Sequence, residues 1–413
     1  MDEKRKLSTS SESKLQRRRK PSRDHEYQEN IQWPQWDTLQ RKKRFGCFGF
    51  RRELPEQVDF TIRIEPNVSG YTKDSAKNVL FVYQDTVNCV ARIRRRLYDT
   101  PGLDIASSLQ RLVGEGIMAA VSTSNMIDGV GCGMTQSLVL CEAVLADERL
   151  MYHGLSPRSL EYKKRLEHIT RDHATEPDYR KRREVVNHMA AFSHLANKFV
   201  GDGLEFTEHM LKETHGILCR DLDKIYTRDS ATKANTFAGR YRKEDLYANT
   251  HKYLSYRKVK RAMRKFVKAL NGTLRKAEQM QELDPFFVAT AASAHFVNIH
   301  PFLTGNGRMA RMVMNVILLK YAGITVPVGA DEKEQKIYLG IAARRSHAGK
   351  GDGELARYIL FKANRALKSI ERGLHSDIAP RARPSNTSSG GDTSGAETCV
   401  AETSGTETSG KES

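Results

Sequence analysis

The side chains able to do chemistry concentrate in one stretch, His300-Pro301-Phe302-Leu303-Thr304-Gly305-Asn306-Gly307-Arg308-Met309-Ala310-Arg311. An apolar helical run, Phe287 to Ile299, must end at His300, because the residue before a proline is pushed out of the helical region. A turn containing Gly305-Asn306-Gly307 follows, and a second apolar helical run starts directly after it. A glycine-containing turn that opens a helix aims free backbone N–H groups at one spot, with the positive end of the helix dipole behind them. Glycine lets a bulky anion approach the backbone closely. Arg308 and Arg311, three residues apart, share one side of the first helical turn. Two guanidinium groups beside a nest of N–H donors make a polyphosphate cradle. The dipole contributes about 0.3–1 kcal/mol, and each charge-assisted hydrogen bond about 1.5–3 kcal/mol, so the arginines dominate. His300 at the rim has the pKa range of a general base toward a hydroxyl nucleophile. His295, five residues away, falls on a different helix face and reads as packing.

These groups are positioned by helices. Apolar residues recur at helical spacing in Ile105, Leu109, Leu112, Val113, Ile117 and Val121, with Asp104 as candidate cap. They do so again in Val185, Val186, Met189, Phe192, Ala196 and Phe199, up to Gly201 and Gly203. Thr207 is placed to cap a helix that turns Met210, Leu211, Thr214, Ile217 and Leu218 inward. Val259 to Leu270 and Met312 to Leu319 repeat the pattern, the latter closed by Gly323 and stopped by Pro327. Strand-like alternation is confined to Phe60–Ile64 and a polar patch from Phe237 to Tyr247, which reads as a surface hairpin. The fold class is mainly α.

The 413 residues include 39% hydrophobic and 29% charged residues, with a formal net charge of +18. Apolar runs are too short for a membrane span, since Lys320 and Tyr321 interrupt the best one, Met312 to Val328. The hydrophilic N-terminus does not read as a signal peptide, and six cysteines without a C-x-x-C pair do not read as a disulfide framework or zinc site. The expected compartment is intracellular, cytoplasmic or nuclear. Residues 1–52 carry 15 Lys/Arg against 7 Asp/Glu, a composition expected of a disordered tail. Residues 384–413 carry one Lys against five acids, with a repeated Glu-Thr-Ser-Gly. Residues 252–276 hold ten Lys/Arg and no acid, which gives a helix with a uniformly positive face (Lys258, Arg261, Lys265, Lys268). The plain reading is a solvated face; the functional one is a dock for acidic protein, anionic lipid or nucleic acid. No helix-turn-helix or interleaved aromatics argue for nucleic acid.

Residues 300–311 resemble the signature of the Fic family, His-x-Phe-x-(Asp/Glu)-Gly-Asn-Gly-Arg-x-x-Arg, at every specified position except Thr304. The resemblance extends over about 200–365 and takes in Ala238-Gly239-Arg240-Tyr241-Arg242, which is similar to the family's flap hairpin, and the helix around His215. It implies a helical bundle with a small β-hairpin flap. It implies transfer of AMP from ATP, with Mg2+ or Mn2+, to a Ser, Thr or Tyr hydroxyl of a protein. By the same resemblance His300 is the base and Phe302 anchors the loop. Gly305, Asn306 and Gly307 form the anion hole, and Arg308 and Arg311 hold phosphates. Gly239, Arg240, Tyr241 and Arg242 align the target segment.

Thr304 stands where the family's acidic metal ligand would be, and Asn298 where many relatives carry Glu. Upstream, Ser124-Asn-Met-Ile-Asp128-Gly129 resembles the family's inhibitory motif, with Asp128 in place of Glu and Arg311 as its expected partner. The alternatives are a nucleotide-binding protein without turnover, and removal of AMP or transfer of another phosphate-containing group. The expected organisation is a basic segment at 1–55, a helical N-terminal region at 56–198 with the inhibitory-like helix near 105–129, the Fic core at 199–370, and a tail at 371–413.

Overall fold

The computed structural model describes residues 76–99, 103–146, 159–222, 224–226, 231–233, 237–248, 251–280, 283–348 and 352–378. The basic segment 1–55, the Phe60–Ile64 strand and the tail beyond 378 lie outside them. Helices in chain order are α1 (Ala76–Asp99), α2 (Leu103–Ile127), α3 (Met134–Leu145), α4 (Leu160–Thr170), α5 (Glu176–Ala196) and α6 (Glu208–Leu218). After two short hairpins come α7 (Tyr256–Met280), α8 (Pro285–Ile299), α9 (Asn306–Ala322), α10 (Glu332–Ala348) and α11 (Asp352–Ile378). The expected mainly helical class holds.

The centre of the packing is the helical hairpin α8–α9. In α9 every residue except Gly307 and Lys320 is buried. That is why its sequence is apolar on all sides rather than striped. Asp284 caps α8 by accepting a hydrogen bond from the Phe287 N–H at 2.9 Å. Thr207 caps α6 as expected, accepting from Met210 N–H at 2.9 Å. Gly323 closes α9 in the left-handed conformation, φ 73°. Beyond it, Asn315 holds the extended segment by accepting from Val326 N–H at 2.6 Å.

Several boundaries differ from the sequence expectation. The helix read over Ile105–Val121 starts at Leu103, which puts Asp104 inside its first turn, and runs to Ile127. α5 ends in a π-helical turn, Asn197–Gly201, before the glycines take effect. α11 continues to Ile378, into the segment assigned to the tail, because Leu367, Ile370 and Leu374 stay buried. Gly373 is the reason it fits there: a Cβ at that position would lie 2.9 Å from Leu112 Cδ2 in α2. The core is continuous from Val79 in α1 to Leu374 in α11.

Strand is confined, among the described residues, to two antiparallel pairs. β1 (Lys224–Tyr226) pairs with β2 (Ala231–Lys233), and β3 (Tyr247–Ala248) with β4 (His251–Lys252). The residues assigned to a flap hairpin, Gly239–Arg242, belong to neither. They form a turn in which Arg240 N–H bonds Phe237 O at 3.0 Å. Among the described residues no helix is long and apolar enough to cross a membrane, and Cys89, Cys132, Cys141 and Cys219 are free.

Candidate active site

The loop from His300 to Gly305 is fixed from within and from below. Phe302 is fully buried and stacks on the His215 ring, centroids 3.7 Å apart and nearly parallel. Asn306 accepts from Phe302 N–H at 2.9 Å and donates to Phe302 O at 2.8 Å. Its side chain therefore staples the loop. In the sequence His215 reads only as part of a helix, and the structure makes it the floor of the loop. It accepts from Gly239 N–H through Nδ1 at 2.9 Å. The proton then sits on Nε2, which donates to Thr304 O at 3.1 Å. Burial pushes its pKa down to about 3, so the ring stays neutral.

Gly305 begins α9 with φ 71°, a conformation that favours glycine. A Cβ there would also sit 3.2 Å from Leu218 Cδ2. At Gly307 a Cβ would meet both Arg311 Nη1 and Asp128 Oδ1 at 3.1 Å. The second glycine thus makes room for an ion pair over the helix mouth.

His300 ends α8 in the left-handed region, φ 50° and ψ 61°. That conformation is costly for a residue with a Cβ and marks a position held by its surroundings. Arg242 does much of the holding. It donates from Nε to His300 O at 2.7 Å, from Nη1 to Glu244 O at 2.7 Å, and from Nη2 to Leu254 O. Its backbone N–H bonds Pro301 O at 2.9 Å. Arg242 is buried and is a clamp on the entry to the loop. Tyr241, half-buried, donates to Glu208 at 2.9 Å and packs against Phe302, so it too supports the loop.

The His300 ring is covered by Tyr253, stacked at 3.8 Å and 16°. Its Nδ1 lies 3.2 Å from Val297 O. A carbonyl only accepts, so Nδ1 carries the proton and Nε2 keeps its lone pair. Burial, joined by the positive Arg242, pushes the imidazole pKa down to about 4, against the Val297 carbonyl and Asp128. His300 is therefore neutral at pH 7, the state a general base needs.

The two arginines differ. Arg311 is fully engaged: Nε donates to Ser124 Oγ at 2.7 Å, and Nη2 to Ser124 O at 3.0 Å and Asp128 Oδ1 at 2.5 Å. Burial works against its charge, but Asp128 and Tyr338 outweigh it and hold the pKa above the ordinary value. Arg308 is as deeply buried, yet its Nε and Nη1 have no hydrogen-bond partner. Its nearest acid is Asp128 Oδ2, 3.4 Å from Nε. A buried guanidinium with unused donors is costly unless a ligand completes it. Beneath both lies His188, which meets Asn125 Oδ1 at 2.8 Å. Its pKa is driven well below normal by burial and then by Arg308 and Arg311. No sequence signal marked His188, which sits within an ordinary apolar stripe.

The structure thus brings His300, the Gly305–Arg311 helix mouth, Ser124 and Asp128 together, across 183 residues of chain in the Arg311–Asp128 contact. Among the described residues no acid besides Asp128 pairs with these arginines. Thr304 is neutral, Asp128 is spent on arginines, and no group of three His, Cys, Asp or Glu suited to a metal ion occurs among the described residues. Magnesium in such sites is normally held through one or two carboxylates besides substrate phosphates. The residues present do not fit the divalent ion that the resemblance implies.

The Fic/DOC family model matches residues 205–318. A Fido domain-containing protein of Dictyostelium discoideum is 31% identical over 132 residues, 32% of this chain and 90% of the relative. The protein adenylyltransferase Fic of Drosophila erecta is 24% identical over 155 residues, 38% of this chain but only 29% of the fly protein. A Fic domain-containing signaling protein from Bacteroides thetaiotaomicron has the same fold, with a TM-score of 0.51 at 18% identity, covering 71% of this chain and 98% of that one. A match that runs nearly the length of a Fido-domain protein, with the family model matching over the loop that the geometry singles out, makes this chain a member of the Fic/DOC family.

Proposed function

We propose that the protein transfers AMP from ATP to a hydroxyl of a protein substrate, restrained by Asp128. The observation that carries this reading is the pairing of a neutral His300, with Nε2 free, and a buried Arg308 with unused donors at one helix mouth. In the reaction the target hydroxyl oxygen attacks the α-phosphorus and gives its proton to His300 Nε2. The bond from the α-phosphorus to the bridging oxygen breaks, and pyrophosphate leaves. Arg308 and the backbone N–H groups at the start of α9 take the charge of the outer phosphates. Arg311 joins them once Asp128 lets go. A serine, threonine or tyrosine hydroxyl, each neutral at pH 7, suits a neutral imidazole as base. The fly adenylyltransferases add support from relatives, over a part of their length.

A second reading, nucleotide binding with little or no turnover, is favoured by two observations: the absent acid at Thr304, and Asp128 lying on both arginines. Mass spectrometry of the protein incubated with ATP, with and without Mg2+ or Mn2+, separates the two. The transfer reading expects a gain of one AMP unit on the protein or a partner, larger in Asp128→Ala and absent in His300→Ala. ATP binding without any mass gain in the wild type and in Asp128→Ala selects the second.

A further inference from the structure

The helix α7 carries charge that the fold does not use. Its apolar stripe, Val259, Met263, Phe266, Leu270 and Leu274, is buried. On the opposite side Lys258, Lys260, Arg261, Lys265, Lys268 and Lys276 are exposed and have no acidic partner among the described residues. Many of these cations lie three or four residues apart, so they repel one another along the helix. A stretch of 25 residues with ten cations and no acid before Glu278 is a poor choice for a face whose only task is solubility. Alternating signs would serve that better.

The positive surface extends toward the site. Lys212 in α6, half-buried, lies over the Tyr241 ring at 4.2 Å, and Tyr241 packs on Phe302 at the base of the loop. Lys260 and Arg264 sit close enough to Lys212 to add to the burial that lowers its pKa, with Glu208 the opposing charge. The face also shows what it accepts. Arg264 meets the carboxylate of Glu208 at 3.7 Å, and Arg275 that of Glu205 at 3.1 Å.

We propose that the exposed basic face of α7, continued by Lys212, docks an acidic protein segment, and that the proteins presented to the active site are recognised through such segments. The second half of this statement rests on the proposed transfer reaction; the docking itself does not. Other polyanions fit less well. The only aromatics of the helix are Tyr256 at its first residue and the buried Phe266, so bases have no platform to stack on. Among the cations no large apolar side chain is exposed; the exposed Met280 lies at the far end. The face therefore has nothing to insert into a lipid surface.

The test uses the full chain and a fluorescent peptide of twenty glutamates, with an oligo-dT of the same charge and phosphatidylserine vesicles as counter-probes. Lys258→Glu/Arg261→Glu/Lys265→Glu/Lys268→Glu should bind the peptide at least tenfold more weakly than wild type. The corresponding four-Gln variant should fall between them and guards against misfolding of the reversed one. Because residues 1–52 are also basic, the difference between variant and wild type is the readout. ATP affinity should be the same in all three proteins, which keeps this result separate from the transfer reaction: peptide binding that survives in a protein without transferase activity leaves the docking face standing. Equal peptide binding by wild type and both variants overturns the proposal, and so does tighter binding of oligo-dT or of the vesicles than of the peptide.

Discussion

The helix mouth at Gly305–Arg311 and the outer face of α7 are both rich in cations, and they are built on opposite terms. At the mouth, two guanidinium groups are removed from water. Arg311 is repaid by Ser124 and Asp128, and Arg308 is left short of partners. On α7 the cations keep their water and are nearly free to place in any fold. Charge that has been desolvated in advance binds a small anion strongly and in one geometry. Charge left in water attracts broadly and yields to salt.

Replacing the aromatic anchor tests how rigid the mouth is. Phe302→Ala should cost about 3–5 kcal/mol of stability by denaturant titration, whereas Lys265→Ala on α7 should stay within about 0.5 kcal/mol. Arg308 tests the unpaired charge. Arg308→Met should raise the Tm of the nucleotide-free protein, because it removes orphaned buried donors. It should also weaken ATP binding by the equivalent of about 1.5–3 kcal/mol, read by calorimetry. A lowered Tm would show that Arg308 is already satisfied, and the contrast with α7 would lose its basis. Thr304→Asp sharpens the metal question: Mn2+ affinity in the presence of a non-hydrolysable ATP analogue should rise by about tenfold, as expected when a carboxylate joins the phosphates.

The smallest effect concerns pH. His194, His215 and His300 are held near or below about 4 by burial, and His188 well below its normal value. The unfolded chain binds protons on these groups below about pH 6.5 while the folded one does not. Stability is therefore full above that pH and is lost as the pH falls toward 4, by up to about 1.4 kcal/mol per histidine per pH unit. The Tm should drop steadily from pH 7 to 5. A flat Tm over this window would mean the histidines are not neutral in the fold.

Much of this was written in local sequence. Thr207 before the α6 stripe, Gly323 after α9 and the His-Pro break at 300–301 each act within a few residues, so spacing alone locates the helix ends. The cradle is likewise local, because the N–H groups and both arginines belong to one turn of one helix. What failed was non-local. Arg242 reads as a polar residue of a surface hairpin, but its side chain is buried and donates to carbonyls of three separate segments, at His300, Glu244 and Leu254. The end of α11 depends on Leu112, which lies hundreds of residues earlier.

Taken by itself, then, the sequence determined the helical class, the loop with its histidine and its arginines, and the candidate latch. Periodicity, capping and turn chemistry are properties of neighbours in the chain. Only the tertiary structure decided that Asp128 lies on both arginines and that Arg308 still keeps donors without a hydrogen-bond partner. It also decided that His215 supports the loop and that the imidazole of His300 is neutral with Nε2 free. These depend on burial and on hydrogen-bond partners drawn from distant segments, and a sequence read along its length does not contain those distances.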